Sequence, residues 1–246
     1  MRSELLFILP TYNHFDYAAR CLQSFVRYTR IDNSFVAVVD DASDDWWKLD
    51  HVAQWSQCNR SLTHFHEHAG LTRSWNYGLR LARDTGLEYT ICGNSDLLFT
   101  EGWYHPLKTA LNSGYDLVGP VTNAPGHAPW QNINNFLTFD PTDDPARLDE
   151  YARQLCVEQP PVVHAKFING FFLMAKTSVW WDNAFDKDNV FNPSQRLTGN
   201  ESELQQRFTA NGKNIGFVPR SFVFHYRSVS RPDALGCKSS NGAFRR

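Results

Sequence analysis

The feature that most constrains the fold is a series of short, continuous apolar runs, each ended abruptly by polar residues. Leu5 to Leu9 contains no polar residue, as expected of a strand buried on both faces of a parallel sheet. The segments between the runs carry apolar residues at helical spacing. Strands alternating with helices predict βαβ units with right-handed crossovers in an α/β fold. The predicted strands cover residues 5–9, 34–39, 62–65, 89–92, 116–119, 167–175, 215–218 and 221–225.

Bulk properties narrow the class of protein. The 246 residues fit one domain, and 42% hydrophobic residues can fill its core. A formal net charge of -2 gives no basic field, which argues against a nucleic-acid partner. Five scattered cysteines without C-x-x-C spacing predict neither disulfides nor zinc and favour a reducing compartment. With no leader-like segment and no apolar stretch long enough to span a membrane, we expect a soluble, cytoplasmic protein.

One strand end carries an isolated carboxylate. The predicted strand at 89–92 is followed by Asn94, Ser95 and Asp96, and a second apolar run begins directly afterwards. A carboxylate held between two buried segments is costly unless a cation meets it. Ligands of open α/β sheets bind where the strands end. Asp96 therefore either holds a divalent metal that carries the diphosphate of a nucleotide-sugar, or it caps a helix that starts near Glu101.

Two other strand ends place polar side chains on the same expected edge. Thr11, Tyr12 and Asn13 follow the first strand, and Asp40 and Asp41 end the second. Each of these residue types is common in loops and helix caps, so a structural role for either aspartate alone is the simpler interpretation. Together with the third strand end, they favour a ligand-binding crevice.

The ordered series of motifs resembles the family 2 glycosyltransferases, which have the GT-A fold, a Rossmann-like, mostly parallel central sheet with helices on both faces. The resemblance covers most of the chain apart from residues 120–163, and it rests on the order of the motifs, since each alone is weak. The motifs are Pro10-Thr-Tyr-Asn13, Val38-Val-Asp-Asp-Ala-Ser-Asp-Asp45, Gly70-x-x-x-Ser74-x-Asn76-x-Gly78, Asn94-Ser-Asp96, Asn169-Gly-Phe-Phe-Leu-Met-Ala175, Gly199-Asn-Glu-Ser-Glu-Leu-Gln-Gln-Arg207 and Phe217-Val-Pro-Arg-Ser-Phe-Val-Phe-His225.

The resemblance implies a role for each matching residue. Asp96 would bind Mn²⁺ or Mg²⁺, with His225 as a second ligand, and Glu201 would be the catalytic base. The donor nucleotide would be bound by Pro10, Thr11, Tyr12, Asn13, Asp40, Asp41, Gly70, Asn76, Asn94 and Ser95. Acceptor binding is expected of Asn169, Gly170 and Glu203. Trp130 lies in the unpatterned stretch that the resemblance does not cover, and its ring is a candidate to stack on an acceptor sugar.

The implied activity is metal-dependent transfer of a sugar, with inversion, from a UDP- or dTDP-linked donor to a hydroxyl of a glycan or glycolipid-type acceptor. Residues 1–119 would bind the nucleotide-sugar, 120–225 would bind the acceptor and carry catalysis, and 226–246 would form a mobile polar tail. Basic charge after His225 suggests that Arg227 or Arg231 folds over the diphosphate.

Three positions depart from the family pattern. Asn94 replaces the first acid of Asp-x-Asp, Glu201 stands where the family has aspartate, and Asn200 replaces the acid that often precedes it. A carboxylate on one more methylene reaches about 1.5 Å further, and a misplacement of about 1 Å can cost on the order of a hundredfold in rate. We therefore expect a backbone at residue 201 that is set back from the reacting atoms.

Alternative interpretations remain for several of these residues. Glu201 and Glu203 could be first-turn acids that interact with a helix dipole, and His225 could be a hydrogen-bonded histidine at a strand end. The Trp180/Trp181 and Phe171/Phe172 pairs are more typical of a core than of a sugar platform. For the whole protein, a sugar nucleotidyltransferase is disfavoured because no Gly-rich basic loop follows the first strand. A sugar-nucleotide-binding protein that has lost catalysis would explain Asn94 and Asn200.

Overall fold

The computed structural model describes residues 4–29, 34–48 and 59–227. The described strands are β1 (Leu5–Thr11), β2 (Ser34–Asp40), β3 (Asn59–His64), β4 (Tyr89–Gly93), β5 (Leu97–Phe99), β6 (Leu117–Val121), β7 (Val163–His164), β8 (Phe172–Lys176) and β9 (Ile215–His225). The described α-helices are α1 (Phe15–Tyr28), α2 (Leu71–Thr85), α3 (Tyr104–Asn112), α4 (Pro145–Glu158), α5 (Thr177–Asp182) and α6 (Asn200–Ala210). Most of the predicted tryptophan-rich helix after Asp45, and the tail with Arg231, lie outside the described residues.

The strands form one sheet in the order β3-β2-β1-β4-β8-β6-β9-β5, with β7 beside β9. β1 is parallel to β2 and β4, and β6 is parallel to β9, whereas β8 and β5 run antiparallel to their neighbours. These directions bring the carboxyl ends of β1, β2, β4 and β9 to the same edge. The predicted mostly parallel α/β sheet is confirmed.

Alternate side chains of the buried strands fill two different cores, as the two-residue period of a strand requires. Leu6 and Ile8 pack with Trp75 of α2 on one face. Phe7 and Leu9 pack with Phe25 of α1 and with residues of α3 on the other. Both faces are therefore covered, which explains why these strands read as unbroken apolar runs. Within the described residues, no helix is both long and apolar enough to cross a bilayer.

Helix α2 lies so close to β1 that only glycine fits at one contact. A Cβ added at Gly78 would lie 2.5 Å from Cγ1 of Ile8, which is 0% exposed. We expect Gly78→Ala to lower the free energy of unfolding by about 1–3 kcal/mol because the packed layers must separate. Helix propensity alone would raise stability by about 0.5–1 kcal/mol. Urea denaturation decides between the two, and a stabilised variant would contradict the close approach.

The strand predicted at residues 167–175 begins only at Phe172. Asn169 and Gly170 lie in a turn, because side chains rather than a neighbouring strand satisfy this backbone. The Ile168 N–H donates to Gln205 Oε1 at 2.7 Å, and the Asn169 N–H donates to Gln131 Oε1 at 2.6 Å. The sequence pattern could not distinguish this turn from a strand, since its apolar residues continue directly into β8.

Three other segments differ from the prediction. The two predicted final strands are one strand, β9, whose pairing with β6 shifts between Val218 and Phe222 around Pro219, which lacks an N–H for the ladder. Residues 120–144 show no usable periodicity in the sequence, and short 3-10 turns at Pro129–Gln131 and Ile133–Asn135 order part of them. The section after Ala175 is rich in turn-forming residues and is predicted as turns, but helix α5 occupies its beginning.

Candidate functional site

Strained backbone is concentrated at the carboxyl edge of the sheet. Among the described residues, the non-glycine residues with positive φ are Asn13, His14, Ala42 and Arg227, and each follows the end of β1, β2 or β9. Such conformations cost of order 1–3 kcal/mol each and cluster at binding sites. The sheet edge predicted to carry the ligand crevice is therefore the candidate site.

Asp96 and His225 lie side by side at this edge. The residue after Asp96 pairs with His225 in the β5–β9 ladder, and Asp96 Oδ1 is 3.3 Å from His225 Nε2. Both side chains are almost buried, with Asp96 8% and His225 6% exposed. The next helix begins at Tyr104 without a side-chain cap. The helix-cap interpretation of Asp96 is therefore wrong.

The His225 ring is held so that Nε2 faces the edge. Nδ1 lies 3.4 Å from the carbonyl oxygen of Ala124, which can only accept, so a proton on Nδ1 would leave the Nε2 lone pair facing Asp96. The Phe171 ring stacks on it with centroids 5.2 Å apart. Asn94 Nδ2 lies 3.3 Å from Nε2. Nε2 of a neutral ring has one lone pair, so a cation bound there would replace this contact with the Asn94 amide.

Cys21 is a further cysteine close to Asp96 and His225, with its Sγ 4.0 Å from the backbone oxygen of Asn94. Burial raises the pKa of the Cys21 thiol far above its ordinary value, and the nearby charge of Asp96 raises it further. The thiol therefore stays protonated and is unsuited to bind a metal. Within the described ranges, no group of three or more His, Cys, Asp or Glu side chains is arranged to hold a metal ion.

Glu201 comes to the same edge from the first turn of α6. A Cβ added at Gly170 would lie 2.6 Å from Glu201 Cγ, so the turn before β8 touches this side chain directly. The next residue, Phe171, accepts a hydrogen bond from the Asn94 N–H at 2.9 Å and stacks on His225. Glu201, Asp96 and His225 are thus joined through two consecutive residues, and they do not lie on opposite sides of the molecule.

Two buried glutamines hold this turn, and sequence reasoning missed both. Gln205 accepts from the Ile168 N–H and donates to the Ile168 carbonyl at 2.9 Å, and it also donates to the Glu201 carbonyl at 3.2 Å. Gln131 accepts from Asn169 and donates to the Pro120 carbonyl. The only sequence signal was that Gln205 stands one helical turn after Glu201.

Asn200 has a structural role that accounts for its amide. The side chain is 0% exposed, its Nδ2 donates to Thr72 Oγ1 at 2.8 Å, and the Thr72 hydroxyl in turn donates to the Gln195 carbonyl. A carboxylate cannot donate to that hydroxyl unless it is protonated. The departure from the family pattern at this position is therefore no evidence of lost catalysis.

We expect Asn200→Asp to lower the free energy of unfolding by on the order of 3 kcal/mol, because it buries a charge and removes a donor. The matched control is Asn192→Asp in the preceding segment, where Oδ1 only accepts, from the N–H and hydroxyl of Ser194. Urea denaturation of both variants should show a loss for Asn200→Asp alone. Equal stabilities would contradict the donor role.

The ends of β1 and β2, where the donor nucleotide is predicted to bind, are called the donor edge below. Asp40 at this edge is completely enclosed. It is 0% exposed, and its oxygens accept from the Thr11 hydroxyl at 3.1 Å, the Ser43 N–H at 3.0 Å and the Ser43 hydroxyl, while His64 Nδ1 lies at 2.7 Å. These contacts use all four lone-pair positions of the carboxylate. Asp40 and the Thr11 hydroxyl therefore tie the ends of β1 and β2 together, as the structural interpretation expects.

Asp41 is engaged almost as fully. It accepts from the N–H groups of Ala69 at 3.2 Å and Gly70 at 2.6 Å and forms an ion pair with Arg73. His68 Nδ1 lies 2.8 Å from its second oxygen. Asp41 thus fixes the loop that enters α2.

Other predicted donor residues divide into exposed and buried ones. Tyr12 is 40% exposed, and Asn13 accepts from the Asp44 N–H at 3.3 Å beside it. Pro10 is buried in β1, and Ser95 is half-buried directly before Asp96. Asn76 is 2% exposed and binds the backbone of residues 190–191 through both its amide groups. Asn76 therefore faces the protein interior.

Aromatic side chains lie near the turn at 168–171. Trp130 Nε1 donates to the Phe167 carbonyl at 3.2 Å, and the two rings are 4.6 Å apart in an edge-to-face arrangement. Phe167 is 38% exposed, whereas Trp180 is 0% and Phe171 1% exposed. The last two belong to the cores, as the sequence favoured.

Glu203 is held away from a substrate role by an ion pair. Arg207 binds both of its oxygens, at 2.7 and 2.9 Å, and also donates to the Val190 carbonyl at 2.8 Å. This arrangement ties α6 to the preceding segment. We therefore propose no acceptor contact for Glu203.

The end of β9 is anchored by an ion pair across the edge. Asp143 accepts from Arg20 at 2.9 Å and from the Tyr226 hydroxyl at 3.0 Å. Although burial alone would raise it, these hydrogen bonds hold the pKa of Asp143 below its ordinary value. Arg227 follows directly with φ 63°. The contact fixes where the chain leaves the metal-ligand candidate His225.

Comparison with known proteins identifies the family. The model of the family described as glycosyl transferase family 2 matches residues 6–161, which is more than half of the chain. The chain belongs to this family. The matched range includes Asp96 and the donor edge, whereas Glu201 and His225 lie beyond it.

Solved glycosyltransferase structures share the fold at low sequence identity. A structure of GalNAc-T7 with UDP, GalNAc and Mn²⁺ has a TM-score of 0.68 and 14% identity, covering 91% of this chain and 44% of that one. A structure of residues 1–349 of S. aureus TarS has a TM-score of 0.62 and 15% identity, and its complex with UDP has a TM-score of 0.63 and 15% identity. Each match covers 90% of this chain and 60% of that one. The chain thus has the GT-A fold and spans less than two thirds of these proteins. A search of curated proteins finds no match.

Proposed function

We propose that the protein is an inverting glycosyltransferase that moves a sugar from a UDP- or dTDP-linked donor to an acceptor hydroxyl. The observation that carries this proposal is the contact chain Glu201–Gly170–Phe171–His225, which brings an acid to the strand edge that also holds Asp96. In this proposal residues 1–119 bind the donor, and 120–225 bind the acceptor and complete the catalytic site.

Asp96 and His225 are the residues that would hold a divalent metal. Asp96 Oδ1 and His225 Nε2 are 3.3 Å apart, close enough for both to bind the same cation. One carboxylate, one imidazole nitrogen and diphosphate oxygens form a donor set suited to Mn²⁺ or Mg²⁺. When bound, such a cation stabilises the negative charge on the leaving diphosphate.

Glu201 would accept the proton of the attacking acceptor hydroxyl as that oxygen forms a bond to the anomeric carbon. Attack from the face opposite the leaving group inverts that carbon. The side chain is only half-buried, so an acceptor can reach it, and the lack of a Cβ at Gly170 leaves the space that the Glu201 side chain occupies. Gln205 fixes both the helix turn of Glu201 and the turn it touches.

The acceptor would enter beside the turn at 168–171. Phe167 stands three residues before Gly170, so its Cα is at most about 11 Å from the turn that touches Glu201. The exposed Phe167 ring, against which the half-buried Trp130 packs edge to face, would stack on a sugar ring and present its hydroxyl to Glu201. A glycan or glycolipid-type acceptor suits this arrangement.

The alternative is a sugar-nucleotide-binding protein without catalysis, suggested by Asn94. Asn200 has a structural explanation in the bond to Thr72, and Asn94 leaves the two expected metal ligands, Asp96 and His225, in place beside it. Neither substitution removes the acid at position 201.

The test is a thermal-shift panel of UDP, dTDP, GDP and CDP, each with and without Mn²⁺. Since a ligand at 100 times its Kd stabilises the fold by about 2.7 kcal/mol, UDP or dTDP with Mn²⁺ should raise the melting temperature by several degrees. Slow Mn²⁺-dependent hydrolysis of the matching nucleotide-sugar, in the absence of acceptor, should accompany it. Binding without any hydrolysis or transfer would favour the binding protein, and no response to any nucleotide would contradict both.

A further inference from the structure

The two aspartates expected to hydrogen-bond the nucleotide base, Asp40 and Asp41, are already occupied by other groups of the protein. In the family resemblance, Asp40 or Asp41 would accept a hydrogen bond from a pyrimidine N–H. All lone-pair positions of Asp40 are used by protein donors, and Asp41 carries four protein contacts with its side chain 5% exposed. A base could be read by either carboxylate only after a protein contact was broken.

His68 lies beside Tyr12 and carries a ring nitrogen that can hydrogen-bond a base instead. It is exposed, its side chain is 42% accessible, and its ring stacks on Tyr12 with centroids 4.2 Å apart. Nδ1 lies 2.8 Å from Asp41, whose carboxylate can only accept, so Nδ1 must be the donor. None of the described residues hydrogen-bonds Nε2. In its neutral form the ring presents Nε2 as an acceptor beside Tyr12, which is 40% exposed.

We propose that His68 Nε2, rather than an aspartate, recognises the N3–H of the donor base, and that Asp41 is a positioning residue that sets the His68 tautomer. The inference rests on the proposed function, since it requires a nucleoside-diphosphate donor at this edge. Because the two rings are stacked, a base that lies in the plane of the His68 ring, above the edge of Tyr12, would meet Nε2 along its lone pair.

This assignment predicts which bases fit. Uracil and thymine both carry a proton on N3, whereas N3 of cytosine is an acceptor and would meet Nε2 lone pair to lone pair. A site built to hydrogen-bond a ligand rejects analogues that leave its polar group unpaired. His68 should therefore favour UDP and dTDP over CDP, which matches the proposed donor class.

The experiment titrates the full chain with UDP and with 3-methyl-UDP, in which a methyl group replaces the N3 proton. Calorimetry is run with Mn²⁺ on the wild type, His68→Ala and the control His66→Ala. His66 is exposed in the same loop and contacts the His64 ring, so its loss tests for general loop effects. His68→Asn, too short to reach the base, is a second variant should alanine disturb the loop.

We expect the wild type and His66→Ala to bind 3-methyl-UDP at least about tenfold more weakly than UDP, in line with one lost hydrogen bond. In His68→Ala, UDP binding should weaken by a similar factor and the preference over 3-methyl-UDP should fall to within about twofold. An undiminished preference in both His68 variants would overturn this assignment and leave the proposed function intact. Failure of wild-type protein to bind UDP or dTDP would overturn both.

Discussion

Glu201→Gln is expected to reduce sugar transfer by about 10²–10⁴-fold, the usual contribution of a general base. The amide keeps the size of the side chain and its contact with Gly170 but cannot accept a proton from the acceptor. Donor affinity should change little, because the base acts on the acceptor. Initial rates and nucleotide titration on the same preparation measure the two effects separately.

Glu201→Asp is expected to be nearly as damaging as Glu201→Gln. The Gly170 turn lies against Cγ of Glu201, and a side chain shortened by about 1.5 Å would withdraw from the acceptor toward the helix. Near wild-type turnover in Glu201→Asp would show that the reach of the longer side chain is irrelevant.

The matched control is Glu203→Gln, two residues along the same helix turn. Its carboxylate binds Arg207 through both oxygens, so this variant should lose stability while transfer by the folded protein persists. Equal losses of transfer in both variants would contradict the assignment of Glu201 as the base.

Asp96→Asn is expected to lower transfer by on the order of 10²–10³-fold, as removal of one stabilising group at a developing charge commonly does. The variant keeps the size of the side chain but removes the negative charge beside His225. The apparent affinity for Mn²⁺ should fall with it, which a metal titration of nucleotide binding measures. Unchanged Mn²⁺ dependence would contradict a metal site at Asp96.

Two further variants test whether the Mn²⁺ dependence is specific to the site at Asp96. Asp143→Asn lies at the same strand end but belongs to the Arg20 ion pair, and it should leave the Mn²⁺ dependence unchanged. Asn94→Asp restores an acid at the first position of the motif. It should lower stability without metal, since two carboxylates then lie close together, and bind Mn²⁺ more tightly than the wild type.

The identity of the sheet and its ligand edge could be read from local patterns. Strands buried on both faces must be apolar throughout, so Leu5–Leu9 and residues 89–92 were recognisable, and their abrupt polar ends marked Asp40, Asp41 and Asp96. Such signals are local because burial acts on each residue separately. They do not reveal the partner of a polar side chain, which depends on residues far along the chain.

Partners therefore decided the roles that sequence left open. The β5–β9 pairing placed His225 beside Asp96, across 129 residues of chain, and this pair supports the proposed metal site. Glu203 resembled Glu201 in position and type, and only the contact with Arg207 separated them. The glutamines that hold the Ile168 turn gave almost no signal, since a buried amide is specified by its surroundings.

The sequence by itself determined the layered α/β architecture, the family and the edge at which chemistry would occur, because strand periodicity and strand ends are written residue by residue. Only the tertiary structure decided that Asp40 is enclosed, that Asn76 faces inward, and that His68 presents a ring nitrogen at the donor edge. Hydrogen-bonding capacity is finite, and which groups use it up is settled when distant segments come into contact.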